Sequence, residues 1–101
     1  MNVPKPVEEI ENETEIKEPS MYRVILHNDD YTTMEFVVEV LQKIFHKSRD
    51  EAEEIMWHIH EKGRAVCGVY TFEIAQTKAE QVKRLARQND FPLLATIEID
   101  E

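Results

Sequence analysis

The chain has 101 residues and 42% hydrophobic content, enough for one domain around a single core. Acidic residues outnumber basic ones 21 to 12, and a net charge of −9 has the wrong sign for a nucleic-acid binder, which carries a basic stripe. The single cysteine, Cys67, excludes an internal disulfide framework, and no apolar run approaches the ~18 residues of a membrane span. With no signal peptide at the N-terminus, a cytoplasmic protein is expected.

Residues 1–20 stand apart, with Pro4, Pro6, Pro19 and six glutamates against Lys5 and Lys17, a net −4. Low hydrophobicity and like charge predict a disordered acidic extension, either idle or gripped by a partner. The core domain is expected over 21–101. Its first strand, 21–27, sets Tyr22, Val24 and Leu26 against a less apolar face of Arg23, Ile25 and His27.

The polar stretch Asn28-Asp29-Asp30-Tyr31-Thr32 follows. These are residues that turn and cap, but three side-chain acceptors in a row would also attract a cation. Thr32 with Glu35 reads as a capping box for a first helix running to about His46, its inward stripe formed by Met34, Val37, Val38, Leu41, Ile44 and Phe45. Ser48 with Glu51 starts a second helix, which has Ala52, Ile55, Met56 and Ile59 on one face and stops at Gly63. The short connection predicts an antiparallel helix hairpin.

A second strand is expected over 65–70, with Gly68 marking a bulge or a close backbone approach. Thr71 then caps a third helix with Ile74, Ala75, Val82, Leu85 and Ala86 inward, ended by Asn89-Asp90 and Pro92. Leu93, Ala95, Ile97 and Ile99 predict a last strand. The order β-α-α-β-α-β gives an α+β two-layer sandwich, three helices on one face of a three-stranded antiparallel sheet.

Catalytic signatures are weak: there is no glycine-rich phosphate loop and no nucleophile elbow, and Cys67 reads as a small buried hydrophobe. Asp29, Asp30 and His60 resemble an acid/base set that lacks a nucleophile. His58 and His60 are two apart on a helix and face different ways, so they do not chelate one metal ion. Two readings of Met34, Val37, Met56, Ile59 and His60 remain. Either the apolar residues are core and His60 a helix-terminal cation, or the helix hairpin forms an apolar cup with acceptors at its rim, suited to an apolar group beside an ammonium.

The run from Met21 to Val37, M-Y-R-V-I-L-H-N-D-D-Y-T-T-M-E-F-V, closely resembles the ClpS family. The likeness continues through Gly63 to Thr71, Glu73, Thr77-Lys78 and Pro92-Leu93-Leu94, covering roughly residues 20–99. The family comprises bacterial adaptors that deliver N-degron substrates to the ClpA unfoldase and the ClpP protease; none is an enzyme and none needs a cofactor or metal. The resemblance implies that Asn28, Asp29 and His60 hold a substrate's α-amine, with Asp30 at the peptide backbone or supporting the loop. It implies a hydrophobic pocket for an N-terminal Leu, Phe, Tyr or Trp, walled by Ile25, Thr32, Met34, Val37, Met56, Ile59 and Leu93. Met34 would act as a gatekeeper against β-branched Ile and Val, and Glu73 and Lys78 would face the unfoldase's N-terminal domain. A monomer, with neither nucleic acid nor membrane as partner, is expected. Ile59 stands where valine is common, Thr33 replaces a frequent proline, and Trp57 and His58 are not part of the family's motif. The fold also resembles the C-terminal domain of the bacterial ribosomal stalk protein, which leaves a pocketless interaction domain as a rival.

Overall fold

A computed structural model describes residues 19–101, so the expected extension lies outside the described residues but for Pro19 and Ser20. The elements are β1 (Met21–His27), α1 (Met34–Lys43), α2 (Arg49–Lys62), β2 (Arg64–Tyr70), α3 (Phe72–Gln88) and β3 (Leu94–Asp100). The strands form one antiparallel sheet in the order β2-β1-β3. This is the α+β sandwich expected from the periodicity, with all three helices packed on one face.

The most deeply buried strand is the central one, flanked by a strand on each edge. Val24 and Leu26 point into the helix layer, where they meet Phe36, Val40, Leu41 and Val82. Ile25 is equally sealed from solvent but lies outside that cluster, on the reverse face between Val66 and Thr96. The ladder breaks once. Val24 pairs with Gly68 and Ile25 with Val66, leaving Cys67 as the extra residue of a β-bulge. Burial pushes the Cys67 thiol up to about 12, which keeps it protonated and inert. Gly68 is needed for a close approach, but of a side chain: a Cβ here would run into the phenol ring of Tyr70.

The helices follow local chemistry, with several departures from expectation. The cap of α1 is Thr33, whose Oγ accepts from the Phe36 amide at 3.1 Å; Thr32 does not cap, because its hydroxyl is committed to Asp29. Glu35 therefore does not complete a capping box. The helix ends at Lys43, short of His46, because His46 takes φ 57° and the Lys47 amide folds back onto the Leu41 carbonyl. Ile74, expected inward on α3, is 49% exposed, and Ala75, Val82 and Ala86 carry the buried stripe. The Ser48–Glu51 capping box is formed in both directions and Gly63 closes α2 at φ 96°, whereas Thr71, expected to cap α3, stands at its N-cap with no side-chain bond to the helix.

Two ties fix opposite ends of the helix layer. The Asn28 amide donates to the Gly63 carbonyl at 2.8 Å, joining the end of β1 to the end of α2. Lys78 Nζ donates to the Ile44 carbonyl at 2.6 Å, joining α3 to the far end of α1.

Candidate functional site

Asp29 builds the loop. Its Oδ1 accepts from the Tyr31 amide at 2.8 Å and the Thr32 amide at 2.7 Å, and its Oδ2 accepts from the Thr32 hydroxyl at 2.8 Å. Partial burial pushes its carboxyl upward, but the donors from Thr32 and Tyr31 outweigh that and hold its pKa below the usual value. Asp29 is therefore an anion at neutral pH, with one lone-pair direction on Oδ2 still open. Asn28 and Asp30 on either side are exposed.

Directly after the loop, α1 starts with Met34 before its core stripe begins. Met34 is 41% exposed, whereas Val37 one turn on is 7% exposed. Antiparallel packing of α2 brings Met56 and His60 to the same place. The result is a cavity of about 270 Å³ lined by Asn28, Asp29, Asp30, Thr32, Met34, Val37, Met56 and His60. Its size sits at the small end of ligand sites and suits one side chain rather than a cofactor. The rim carries two carboxylates, an amide and an imidazole; the floor is valine and methionine.

Eight of the eleven residues expected at the site meet there, and three do not. Ile25 lies on the other face of the sheet, and Ile59 and Leu93 are core residues, 2% and 6% exposed, that do not line the cavity. Glu73 and Lys78 are on α3, away from the cavity. Glu73 is exposed in the first helical turn, while Lys78 is half-buried, with its ammonium on the Ile44 carbonyl and 5.6 Å from the Tyr70 ring centroid. Among the described residues, no three His, Cys, Asp or Glu side chains converge as a metal site would require.

Two features escaped the sequence. One is the organising role of Asp29, although an Asp three residues before a Thr is a recognisable side-chain turn signal. The other is Trp57, which stands nearly perpendicular to the His60 ring with centroids 5.7 Å apart. Their i,i+3 spacing on a helix could have signalled the pair.

With this geometry in view, the likenesses to known proteins bear on its use. Residues 17–96 match the family model described as ATP-dependent Clp protease adaptor protein ClpS. The ATP-dependent Clp protease adapter protein ClpS of Shewanella piezotolerans is 57% identical over 86 residues, spanning 85% of this chain and 84% of that protein. Its counterpart from Syntrophus aciditrophicus is 56% identical over 89 residues, 88% of this chain and 83% of that one. The solved structure of Agrobacterium tumefaciens ClpS2 bound to L-phenylalaninamide superposes with a TM-score of 0.80 at 41% identity, covering 82% of this chain and all 100% of that one. No helix of the described residues is long and apolar enough to cross a membrane.

Proposed function

Since the chain belongs to the ClpS family of Clp protease adaptors and is therefore an adaptor rather than an enzyme, we propose that it recognises proteins by a destabilising first residue (Leu, Phe, Tyr or Trp) and hands them to a ClpA-type unfoldase for degradation by ClpP. The observation that supports this most is the single-residue cavity with an ionised rim. Phenylalaninamide, bound by the Agrobacterium relative, combines a free α-amine with a benzyl side chain. The two halves of the cavity match those two groups.

In this reading the α-ammonium sits at the rim. It donates to the Asn28 side-chain carbonyl, to the open lone pair of Asp29 Oδ2 and to His60, directly or through one water. Asp30 meets the backbone just beyond or stiffens the loop. The first side chain displaces water from Thr32, Met34, Val37 and Met56; Ile59, Leu93 and, from the far side of β1, Ile25 back the wall rather than touch the ligand. Burying a Leu or Phe contributes about 1.5–3 kcal/mol. An acetylated or internal residue brings no charge and leaves a desolvated carboxylate unpaired, at a cost of about 1–3 kcal/mol or more. Before association costs, such sums give micromolar-class capture, which suits an adaptor that must release its cargo.

Met34 stands at the mouth, where its bulk crowds a β-branched first residue. The unfoldase's N-terminal domain would meet α3 through Glu73 and the outer stem of Lys78, since the Lys78 ammonium is already engaged. The extension of residues 1–20 would be the segment the unfoldase grips during delivery, and the adaptor would act as a cytoplasmic monomer. Calorimetric titration tests the central point: a peptide starting with Phe binds and its N-acetylated twin does not. Equal affinities would sink ammonium recognition.

A further inference from the structure

The second half of α3 is a positive region on a negative chain. Lys83, Arg84 and Arg87 are all exposed, and none of them forms an ion pair among the described residues. By contrast Arg23, Lys43, Arg49 and Arg64 are each matched to a glutamate or an aspartate. The carboxylates nearest to the three in sequence are Glu80, one turn earlier on α3, and Asp90, just past the helix end. The negative end of the helix dipole accounts for Arg87, but that effect fades within the last turn, and Lys83 and Arg84 lie before it.

Beside these cations an open trough of about 420 Å³ runs between α3 and the start of β3. Ala86, Phe91, Pro92 and Leu94 give it apolar walls, and Lys83 and Arg87 line it from the helix. Leu94 is 54% exposed there. Such a surface is complementary to a segment in which an isolated apolar residue stands among carboxylates. This chain carries one: in residues 8–15, E-E-I-E-N-E-T-E, five glutamates surround Ile10 and no cation interrupts them.

That segment lies within reach. Met21, where the extension joins the sheet, stands opposite Asp100, and Leu94 is at the other end of β3, about 20 Å away at ~3.3 Å per strand residue. Glu15 precedes Met21 by six residues and spans that distance when extended, and Ile10 has chain to spare.

We propose that residues 8–15 dock on this trough, with Ile10 between its apolar walls and the flanking glutamates on Lys83, Arg84 and Arg87. The occupant is the chain's own acidic extension, held against the core while no unfoldase engages it. Each exposed pair contributes little alone, but the tether makes docking intramolecular, so several weak pairs suffice. The inference holds whether or not the cavity takes an N-terminal residue.

The test is paramagnetic broadening in the full-length protein, with a nitroxide attached through Asn12→Cys. Cys67 is 1% exposed, so the label goes to position 12. Amide resonances of residues 83–87 and 91–95 lose more than about half of their intensity at 0.1 M salt, where charges act over about 10 Å, and regain it at 1 M, where the range is about 3 Å. Replacing the three cations together, by Lys83→Gln, Arg84→Gln and Arg87→Gln, abolishes the loss at 0.1 M while the rest of the spectrum keeps its folded pattern. Broadening that is absent, that is spread evenly over the domain, or that survives in the triple variant overturns the proposal. So does broadening of equal size in a mixture of labelled chains without 15N and unlabelled 15N chains, which would give the trough to a second copy.

Discussion

The two ends of α1 are built on opposite plans. At the C-terminal end Ile44 and Phe45 are 7% and 5% exposed, and Lys78 reaches from α3 to hold the Ile44 carbonyl. At the N-terminal end the chain spends polar side chains, Asp29, Thr32 and Thr33, on ordering its own loop and leaves Met34 41% exposed. One end is closed by packing; the other is held open by hydrogen bonds. The lesson is that a small domain can keep an apolar cavity uncollapsed only if something other than apolar contact fixes the cavity's edge.

This contrast can be broken at either end. The largest expected effect is at the closed end: Phe45→Ala should cost about 3–5 kcal/mol in a urea unfolding experiment. The peptide affinity of the remaining folded molecules should be unchanged. At the open end, Asp29→Ala should weaken binding of a Phe-starting peptide by more than about ten-fold, since the loop loses its organiser and the ammonium an acceptor. A variant that binds normally would show that Asp29 supports neither. Lys78→Met leaves a helix-terminal carbonyl without its donor and should lower stability by about 1–3 kcal/mol, again with peptide binding intact. Met34→Ala should barely move the unfolding midpoint, because the side chain is already half in solvent, but it should admit N-terminal Ile or Val. Unchanged discrimination would return Met34 to a packing role.

The smallest effect is a titration. The Asp29 pKa is lowered in the folded state from an ordinary 3.8, so the loop's carboxylate bonds are fully present above that value. They are lost only as pH falls further, through the depressed native pKa. The Tyr31 and Thr32 amide resonances should therefore shift together with a midpoint below 3.8. A midpoint above it would mean that burial, not hydrogen bonding, dominates at this carboxylate.

Much of this was legible from residue order alone. Strand alternation, helical stripes, the Ser48–Glu51 box and the Gly63 stop each depend on neighbours within four residues, so they specify β-α-α-β-α-β without reference to the fold. Where two neighbours are chemically equivalent, local information runs out. Thr32 and Thr33 are both good caps, and only the Asp29 carboxylate, by taking the Thr32 hydroxyl, assigns the cap to Thr33. The bulge at Cys67 depends on pairing across strands that are some forty residues apart in the chain.

The cavity itself is a tertiary decision. Met34, Val37, Met56 and Ile59 share one periodicity, and nothing in their spacing separates a pocket lining from a core. Packing of α2 against α1 buries Ile59 and leaves Met34 at the surface, with Met56 and Val37 forming the floor between. Residue type determined that this stripe would be apolar. The loop held by Asp29 and its tie from Asn28 to Gly63 decided which part of it stays open, because burial belongs to the arrangement of elements and not to any one of them.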